Sequence, residues 1–455
     1  NNTIQNTDYR KCFYLLPYSR IKNHFCWSLF NLNFLLLLTI SILASCSVSK
    51  QISKQSNKIL LADSAVSTGH IGISIYEPAT NSFWYDHNAA KYFVPASNTK
   101  LFSLYAGLKY LGDSLPGLRY EVTSDQDILI QPTGDPTFLH SEFLKQPVYD
   151  HLKKFKNITF TSLFFTDNFL GAGWAWDDYK EAYMAQRGNF PIYGNLVQIN
   201  KNGNKISVVP PGYKYLVPEH TNLSNGFDVA KKIDDNIVTI IEGTNQKLSV
   251  PFTPNASDII KMLQDTLHTT VLADTNVRRL KNVLHSQPSD SLFKPMMHRS
   301  DNFFAEQTLL MASNELLGYM NDKKMIDSIL TTDLKDIPQK PKWVDGSGLS
   351  RYNLFTPKSF VYILNKMMNE FSLGRLKNIL PTGGEGTLSA YYKNAAGFIF
   401  AKTGTLSNHC ALSGFIITKK NKLLIFSVLA NNYQTGATPI RRAVEKFLMG
   451  IREKY

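Results

Sequence analysis

Cysteine is scarce in this chain of 455 residues, which holds it only at Cys12, Cys26, Cys46 and Cys410. The first three fall in an N-terminal segment that we expect to be processed, so Cys410 would remain as a lone thiol. A lone thiol forms no internal disulfide, which excludes a small fold stapled by disulfides. Hydrophobic residues make up 43% of the chain, and we expect the fold to be held by its cores.

Metal-binding patterns are also lacking. The ten histidines are scattered, and neither H-E-x-x-H nor C-x-x-C occurs. We therefore expect no metal and no cofactor, and a zinc peptidase is disfavoured. His409 and Cys410 are neighbours on a predicted strand, where adjacent side chains point to opposite faces. We interpret them as an ordinary turn residue and a small buried thiol.

Basic residues exceed acidic ones, with a net charge of +13, yet the body of the chain has no tight Lys/Arg run. Such a diffuse excess argues against nucleic acid as a partner and suits an acidic polymer or an anionic membrane. No solenoid repeat is present. The length predicts two or three domains.

A short apolar run, "NFLLLLTISILASC", occupies residues 33–46 and follows several basic residues. It is shorter than the roughly 20 residues needed to span a bilayer, although an uncleaved anchor helix is the alternative. Its end resembles the bacterial lipobox, so we predict a lipoprotein signal at 1–45 and lipidation of Cys46. The polar, Ser/Lys/Gln-rich residues that follow predict a flexible tether over 46–69.

The rest of the chain predicts an α/β (α+β) architecture interrupted by an insertion. Two strands around a turn and a helix occupy 70–120, and helices followed by an antiparallel meander occupy 286–455. Between them, 121–285 alternates short β-rich segments with Gly, Asn and Pro-rich loops. We predict one catalytic domain from the two ends and one or more inserted domains in the middle.

Ser97 and Lys100 form the pattern S-x-x-K at the predicted start of a helix. The same spacing occurs at Ser47 and Ser291, so the pattern alone is weak, and a helix cap with an exposed lysine is the alternative. Residues three apart share one side of a helix. The partial positive charge of a helix N-terminus would keep Lys100 neutral enough to remove the Ser97 proton.

Two further short patterns occur later in the chain. Ser300-Asp301-Asn302 precedes a helical run and could be a plain N-cap, with Glu306 in the first turns. Lys402-Thr403-Gly404 ends a predicted strand, and Gly404 could simply begin a turn. S-x-x-K, S-D-N and K-T-G in this order are the signature set of the penicillin-binding and serine β-lactamase superfamily.

Acyl transfer explains these residue types. Ser97 would attack and Lys100 would act as its base, while Asn302 would hold the substrate amide and position Lys100. Ser300 and Lys402 would pass a proton to the leaving group. Lys402, Thr403 and Gly404 form the wall that holds the terminal carboxylate, and backbone N–H groups of Ser97 and Thr405 would form the oxyanion hole.

Longer segments narrow the resemblance to one family. "TGDPTF", "GWAWDDYKEAY", "DGSGLSRYNLFTP" and "GGEGTLSAYY" occur in the right order. The chain thereby resembles the low-molecular-mass class C penicillin-binding proteins, the D-alanyl-D-alanine carboxypeptidase/endopeptidase family S13, over residues 70–450. The resemblance implies a transpeptidase-like fold, an antiparallel sheet with helices on both sides, that carries inserted domains between the first two motifs.

The resemblance also implies roles for residues outside the three motifs. Asp167 matches an aspartate that approaches the diamino-acid side chain of the substrate, although a surface turn residue is an equal alternative. Arg351 would line the pocket or brace the "DGSGLS" loop. No Glu lies in the E-x-x-L-N setting that class A β-lactamases use, so slow release of bound penicillin is expected.

We therefore predict an enzyme of the bacterial cell envelope that needs no cofactor and whose partners are peptidoglycan stem peptides and β-lactam antibiotics. It would cleave terminal D-Ala from peptidoglycan stem peptides through an acyl-serine at Ser97, cut cross-links in addition, and bind β-lactam antibiotics covalently. A β-lactamase or esterase of the same superfamily is one alternative. A catalytically weak wall-binding lipoprotein is the other.

Overall fold

The computed structural model describes residues 48–161, 165–274, 276 and 278–455. Two compact units divide the chain, 1–54 and 55–455. In the first, the described residues 48–54 are helical. The predicted signal at 1–45 and Cys46 lie outside the described residues. Among those described, no helix combines the length and apolar character required to cross a membrane.

The start of the second unit corrects the predicted tether. Asn57–Leu61 forms a helical segment of π geometry, and Leu60 is fully buried. The Gln55 amide donates a hydrogen bond to the Phe447 carbonyl near the end of the chain. An apolar side chain placed one turn after a polar stretch buries itself against the body of the protein, so this part of 46–69 is not a free linker.

A five-stranded antiparallel sheet joins the two ends of the chain. Its strand order is β14-β15-β16-β1-β2. The strands are β1 (His70–Glu77), β2 (Ser82–His87), β14 (Ile399–Leu406), β15 (His409–Ile417) and β16 (Leu423–Asn431). β1 and β16 are buried along nearly their whole length, which requires cover on both faces. The predicted meander is confirmed as β14 to β16.

Helices supply that cover. Those of the second unit are α1 (Lys100–Tyr110), α2 (Pro147–Leu152), α3 (Ala256–Leu267), α4 (Ser289–His298), α5 (Asn302–Leu317), α6 (Asp322–Thr331), α7 (Pro357–Phe371), α8 (Leu373–Ile379) and α9 (Ala437–Lys454). α7 packs on β1 and β16, and α9 packs on β15. The predicted serine β-lactamase-like fold class is therefore confirmed.

Helix α1 is buried on nearly all sides, from Lys100 through Leu108. The sequence pattern predicted only one apolar face. α1 packs against α5 and α7, and the ring of Phe102 lies 4.7 Å from that of Phe355. Truncating a buried phenylalanine costs about 3–5 kcal/mol. This packing fixes the helix whose first residue is Lys100.

The strands between the two motifs form three further sheets. The larger has the order β12-β5-β4-β3-β13, and the smaller ones have the orders β11-β6-β7 and β8-β10-β9. Their strands are β3 (Ser114–Val122), β4 (Asp127–Pro132), β5 (Asn157–Thr161), β6 (Leu196–Asn202), β7 (Lys205–Val209), β8 (Tyr215–Leu216), β9 (Phe227–Ala230), β10 (Val238–Glu242), β11 (Lys247–Pro251), β12 (Thr270–Asp274) and β13 (Asn282–Pro288). A second apolar core lies between these sheets and α3.

The predicted insertion boundaries fall inside strands. β3 pairs antiparallel with β13, from Asn282 opposite Tyr120 to Pro288 opposite Ser114. The predicted limits of 121 and 285 therefore cut two paired strands that enter and leave the same sheet. Hydrophobic pattern alone does not reveal such pairing, because strand partners 160 residues apart leave no local signal.

Candidate active site

Ser97 lies in a short 3₁₀ segment, Ala96–Thr99, that runs directly into α1. Ala96 before it has a φ of 48°, a left-handed conformation that is strained for any residue with a Cβ. Lys100 is the first residue of α1 and is fully buried. Its Nζ lies 3.0 Å from Ser97 Oγ, so the predicted pair is in hydrogen-bond contact.

Two more oxygens surround the Lys100 amine. Nζ donates to Asn302 Oδ1 at 2.6 Å and to the Ser347 carbonyl at 2.7 Å. Both oxygens only accept, whereas a neutral amine has two N–H groups and one lone pair. When Lys100 is neutral, its two hydrogens are therefore taken by Asn302 and Ser347. Its lone pair is left for the O–H of Ser97, which is the orientation of a general base.

Burial lowers the pKa of Lys100 to about 8, although the carboxylates of Asp345, Glu306 and Asp301 act in the opposite direction. A general base works best when its pKa is near the working pH. Burial is the largest cause of this shift, and the predicted helix-terminus effect stays a prediction. Lys100 can be neutral in a useful fraction of molecules near neutral pH.

Lys402 and Ser300 form a second lysine–serine contact across the pocket. Lys402 is fully buried, and its Nζ donates to Ser300 Oγ at 2.8 Å and to the Thr403 carbonyl at 2.7 Å. Burial, Lys100 and Arg441 hold the pKa of Lys402 well below its usual range. Ser300 has a φ of 64°, so this serine is itself held in a strained conformation, whereas at the first motif the strained residue is Ala96.

The S-D-N segment combines both interpretations given above. Asp301 caps α5 by accepting a hydrogen bond from the Phe304 N–H at 2.9 Å. Asn302 meanwhile holds Lys100 and donates to the Tyr183 carbonyl at 3.0 Å. Glu306 belongs to neither the cap nor the surface, because it is fully buried within α5.

β14 is the edge strand of the sheet, and it packs along the segment that carries Ser97. Gly404 lies within this strand and does not begin a turn, which corrects the simpler interpretation. A Cβ at Gly404 would stand 2.6 Å from the Pro95 carbonyl oxygen and 3.1 Å from the Ser97 nitrogen. Only glycine allows this approach. An edge strand keeps backbone groups free for an extended substrate.

A pocket of about 510 Å³ contains Ser97, Ser300, Asn302, Thr405 and Arg351 on its walls. The pocket thus brings together residues of the first two motifs and Thr405, which directly follows the third. Lys402 of the third motif joins them through its contact with Ser300. The remaining wall of the pocket comes from the "GWAWDDYKEAY" and "DGSGLS" segments. The lining includes Gly173, Asp178, Tyr183, Gly348 and Leu349.

The acidic residue on this wall is Asp178. Tyr183 donates a hydrogen bond to it, and burial together with Asp178 raises the pKa of Tyr183 to about 12. Tyr183 therefore stays a neutral donor to the carboxylate of Asp178 beside the pocket. The segment was recognised from the sequence, but this residue within it was not singled out.

Two arginines lie near the C-terminal end of β14. Arg351 lines the pocket and donates to the Ser407 carbonyl at 3.3 Å, so it both borders the pocket and braces the strand end. Arg441 on α9 donates to Thr405 Oγ1 at 2.5 Å. Their charges make this end of the pocket attractive to a carboxylate.

Two predicted site residues lie elsewhere. The Asp167 carboxylate accepts from Arg187 Nη2 at 3.0 Å and from the Asp322 N–H at 2.8 Å. Its side chain is only 9% exposed, so it is neither the predicted substrate contact nor a surface turn residue. Thr403 lines a narrow cavity with Cys410 and Arg441. Cys410 is free and buried, as predicted.

Two buried carboxylates were missed by sequence reasoning. Asp345 accepts from the N–H groups of Gly348 at 2.9 Å and Ser350 at 2.7 Å, which shapes the "DGSGLS" loop. Glu306 accepts from the Ser347 N–H at 2.7 Å. The signal in the sequence was an acidic residue in the middle of an otherwise apolar helix, "FFAEQTLLM".

The fold and the site define a serine hydrolase of the class that includes penicillin-binding proteins. The model of the D-Ala-D-Ala carboxypeptidase 3 (S13) family matches residues 53–449. The chain therefore belongs to this family, and it is a serine-type D-Ala-D-Ala carboxypeptidase. The resemblance inferred from the motifs is confirmed.

Curated relatives agree with this assignment. A D-alanyl-D-alanine carboxypeptidase DacB of Haemophilus influenzae is 24% identical over 77% of this chain and 83% of its own length. A D-alanyl-D-alanine carboxypeptidase of Actinomadura sp. strain R39 is 25% identical over 84% of this chain and 81% of its own. Both comparisons span the two ends and the middle region together.

Solved structures show the same fold. The crystal structure of penicillin binding protein 4 (dacB) from Haemophilus influenzae superposes with a TM-score of 0.69 and 20% identity, over 88% of this chain and 99% of that one. The same protein, complexed with a β-lactam, superposes with a TM-score of 0.66 and 19% identity, over the same shares.

Proposed function

We propose that this chain removes the terminal D-Ala of peptidoglycan stem peptides through an acyl-enzyme formed on Ser97. The observation that carries the proposal is the environment of Lys100. Two acceptor-only oxygens take its hydrogens, and its third direction faces the Ser97 hydroxyl at 3.0 Å. This arrangement supports Ser97 as the nucleophile and Lys100 as its base.

In the acylation step, Lys100 takes the Ser97 proton while Oγ attacks the carbonyl carbon of the penultimate D-Ala. The developing oxyanion would be bound by the backbone N–H groups of Ser97 and Thr405, which border one pocket. The C–N bond then breaks and the terminal D-Ala leaves as an amine. The proton that Lys100 took from Ser97 would pass to this amine through Ser300, which Lys402 contacts at 2.8 Å, so that Lys100 is neutral again before water enters.

In the second step, water attacks the acyl-serine ester, and the shortened stem peptide is released as Ser97 regains its proton. Lys100 stands beside the same oxygen and would activate this water, by the same logic that it activates the hydroxyl. No further base is needed.

Substrate recognition follows from charges at the two ends of the pocket. Arg351 and Arg441 stand at the end that would take the terminal carboxylate, along with Lys402. Asp178 stands on the wall formed by the middle region and would attract a cationic side chain of the stem peptide. This transfers to Asp178 the role expected of Asp167. In a cross-linked substrate, the leaving amine would be the side chain of a second stem peptide and not free D-Ala. The same acyl-transfer steps would cut that bond, which supports endopeptidase action.

The cell envelope is the proposed location, because peptidoglycan lies there. We further propose that Cys46 carries a lipid that anchors the enzyme to a membrane, on the strength of the lipobox-like residues before it. β-Lactam antibiotics are proposed as covalent ligands of Ser97, since the related Haemophilus protein was solved with one. Globomycin sensitivity of processing and a mass increment on Cys46 would test the anchor.

Labelled penicillin and intact mass spectrometry test the central proposal. We expect a stable adduct in the wild-type protein and none in Ser97→Ala, whose fold should be unchanged because only one oxygen is removed. Persistent labelling of Ser97→Ala would show that another residue is the nucleophile. Rapid drug turnover would instead indicate a β-lactamase, and no adduct at any concentration would indicate a wall-binding protein.

Products on defined muropeptides then separate the two peptidase activities. Release of free D-Ala from an uncross-linked pentapeptide indicates the carboxypeptidase. Conversion of a cross-linked dimer to monomers indicates the endopeptidase. We expect both in the wild-type protein and neither in Ser97→Ala.

A further inference from the structure

Arg187 is a fully enclosed arginine whose guanidinium meets three carboxylates. Its Nη atoms lie 3.0 Å from Asp167, 3.2 Å from Glu306 and 2.5 Å from Asp322. The Arg187 side chain is 1% exposed and that of Glu306 is fully buried. A buried ion cluster costs desolvation energy and is weak evidence for stability alone. Its position next to the pocket suggests another use.

The cluster connects to the base through one residue. Glu306 Oε2 accepts from Arg187, while Oε1 accepts from the Ser347 N–H at 2.7 Å. The carbonyl of the same Ser347 accepts from Lys100 Nζ at 2.7 Å. Glu306 therefore grips one side of a residue whose other side holds the catalytic lysine. Arg187 in turn fixes the Glu306 carboxylate.

Glycines around Ser347 make the loop dependent on such a grip. A Cβ at Gly348 would stand 2.0 Å from the Ala96 carbonyl oxygen, and Gly348 has a φ of +85°. Glycine leaves the backbone free to rotate. Without Glu306, the Ser347 carbonyl would lose one of the contacts that aim it at Lys100. Asp345 holds the far side of the loop, at Gly348 and Ser350.

We propose that Glu306 and Arg187 are positioning residues for acylation, which hold Ser347 so that the lone pair of Lys100 faces Ser97. This inference rests on the proposed roles of Ser97 and Lys100. It also gives the middle region a part in the chemistry, because Arg187 lies between β5 and β6, far from the three motifs in sequence. Neither residue is among those that line the pocket.

The charge of Glu306 adds a second, separable effect on Lys100. Asp345, Glu306 and Asp301 each raise the pKa of Lys100 against its burial. Lys402 is the neighbouring cation, since Lys100 lowers its pKa. Removing the Glu306 charge therefore lowers the pKa of Lys100, and its neutral fraction grows at lower pH.

Glu306 itself is surrounded by charges of both signs. Burial and the carboxylates of Asp345 and Asp322 raise its pKa to about 7, while Arg187 and the Ser347 N–H act in the opposite direction. The carboxylate is thus present above about pH 7. Lys100 begins to lose its proton in the same range. The ionisation of Glu306 and the deprotonation of Lys100 therefore occur over overlapping pH values.

The test is the rate of acylation by a fluorescent penicillin as a function of pH, in wild type, Glu306→Gln and Asp322→Asn. In Glu306→Gln we expect a maximal rate about 10- to 100-fold lower, the range that a misplacement of about 1 Å costs. The midpoint of the acid limb should also move to lower pH. A loss of stability alone would not move that midpoint.

Asp322→Asn is the matched control. Asp322 contacts the same guanidinium but touches neither Ser347 nor Lys100 among the contacts of the described residues. We expect its acylation midpoint to equal that of the wild type, whatever its melting temperature. An equal shift in both variants would overturn the proposal, because the effect would then belong to the whole cluster.

Two further results keep the outcomes distinguishable. Suppose that the wild-type protein is acylated at Ser97 and that Glu306→Gln has the same acylation rate at every pH. That result would overturn this inference and leave the proposed function intact. No wild-type acylation would overturn the proposed function. If Glu306→Gln does not fold, Arg187→Lys serves instead, since it keeps the charge but loses the fork that grips Glu306. A reduced maximal rate with an unmoved midpoint is then expected, and an unchanged rate would overturn the proposal.

Discussion

The Nζ atom of Lys100 lies closer to Asn302 Oδ1, at 2.6 Å, than to the Ser97 hydroxyl that it serves, at 3.0 Å. The amide is the tighter partner, so it decides where the amine sits. A neutral amide holds a lysine without favouring its charged form as strongly as a carboxylate would. The identity of Asn302 therefore bears on when Lys100 can act.

Replacing Asn302 by aspartate tests this relationship. A carboxylate next to Nζ stabilises the ammonium, so the pKa of Lys100 should rise above about 8. Each unit of increase lowers the neutral fraction, and the acylation rate at pH 7, about tenfold. The acid limb of penicillin acylation should move to higher pH, opposite to the effect of Glu306→Gln. A midpoint at its wild-type position would mean that Lys100 is not the base.

The wild-type pH profile is itself a prediction. Burial holds the pKa of Lys100 at about 8, and only the neutral amine accepts the Ser97 proton. Acylation should therefore slow by about one decade per pH unit below that value and level off above it. Stopped-flow labelling from pH 5 to 9 measures the limb. A flat profile between pH 6 and pH 8 would contradict the assignment.

Arg441 should matter for substrates with a free terminal carboxylate. It donates to Thr405 Oγ1 at 2.5 Å, and a hydrogen bond to a charged group contributes about 1.5–3 kcal/mol. We expect Arg441→Gln to lower kcat/KM about 10- to 100-fold for a free D-Ala-D-Ala terminus and much less for its amide. Dividing kcat/KM for the carboxylate by kcat/KM for the amide cancels any general loss of activity.

Arg442→Gln is the control for that measurement. Arg442 is the next residue of α9, its side chain is 53% exposed, and it pairs with Glu445 at 2.6 Å. It should leave the carboxylate-to-amide ratio at the wild-type value. Equal effects of both substitutions would assign the preference to the overall charge of the helix and not to Arg441.

Gly404→Ala should disturb the oxyanion side of the pocket. The added Cβ would stand 2.6 Å from the Pro95 carbonyl oxygen, which is backbone and cannot step aside. We expect a loss of about 1–3 kcal/mol of stability, typical of overpacking, and a lower acylation rate. Thermal unfolding and penicillin labelling measure both.

Gly436→Ala is the matched substitution. A Cβ at Gly436 meets no atom within 4 Å, and its φ of −69° suits any residue. Stability and labelling should both stay at wild-type levels. A Gly404→Ala protein that behaves like Gly436→Ala would show that the close approach of β14 to Ser97 is not needed.

The three motifs could be found in the sequence because each is short and contiguous. Ser97, Lys100, Ser300, Asn302 and Lys402 all take part in the contacts that the structure shows. Their order and their local settings were sufficient to indicate the superfamily, and the longer segments around them narrowed it to the family. A sequence pattern is informative when its functional residues lie within a few positions of one another, as they do inside each motif.

The supporting residues could not be found in this way. Glu306 entered the sequence analysis only through the alternative of a plain N-cap, yet it is buried against Arg187, 119 residues away. Asp167 was selected because it matches an aspartate of the resembled family, yet its carboxylate is enclosed by Arg187 and the Asp322 N–H. The roles of such residues depend on their burial and on ion pairs with residues far away in the sequence. Neither produces a periodic pattern in the sequence.

β1 pairs with β16, from His70 opposite Asn431 onward, and Ser97 packs beside β14 near residue 404. A ribosome makes the first partner more than 300 residues before the second. An unfinished chain therefore carries its nucleophile with no opposing wall, and long-range strand pairing must wait for the last strand. We therefore expect chains that end before β14 to lack peptidase activity, because the wall that faces Ser97 has not yet been made.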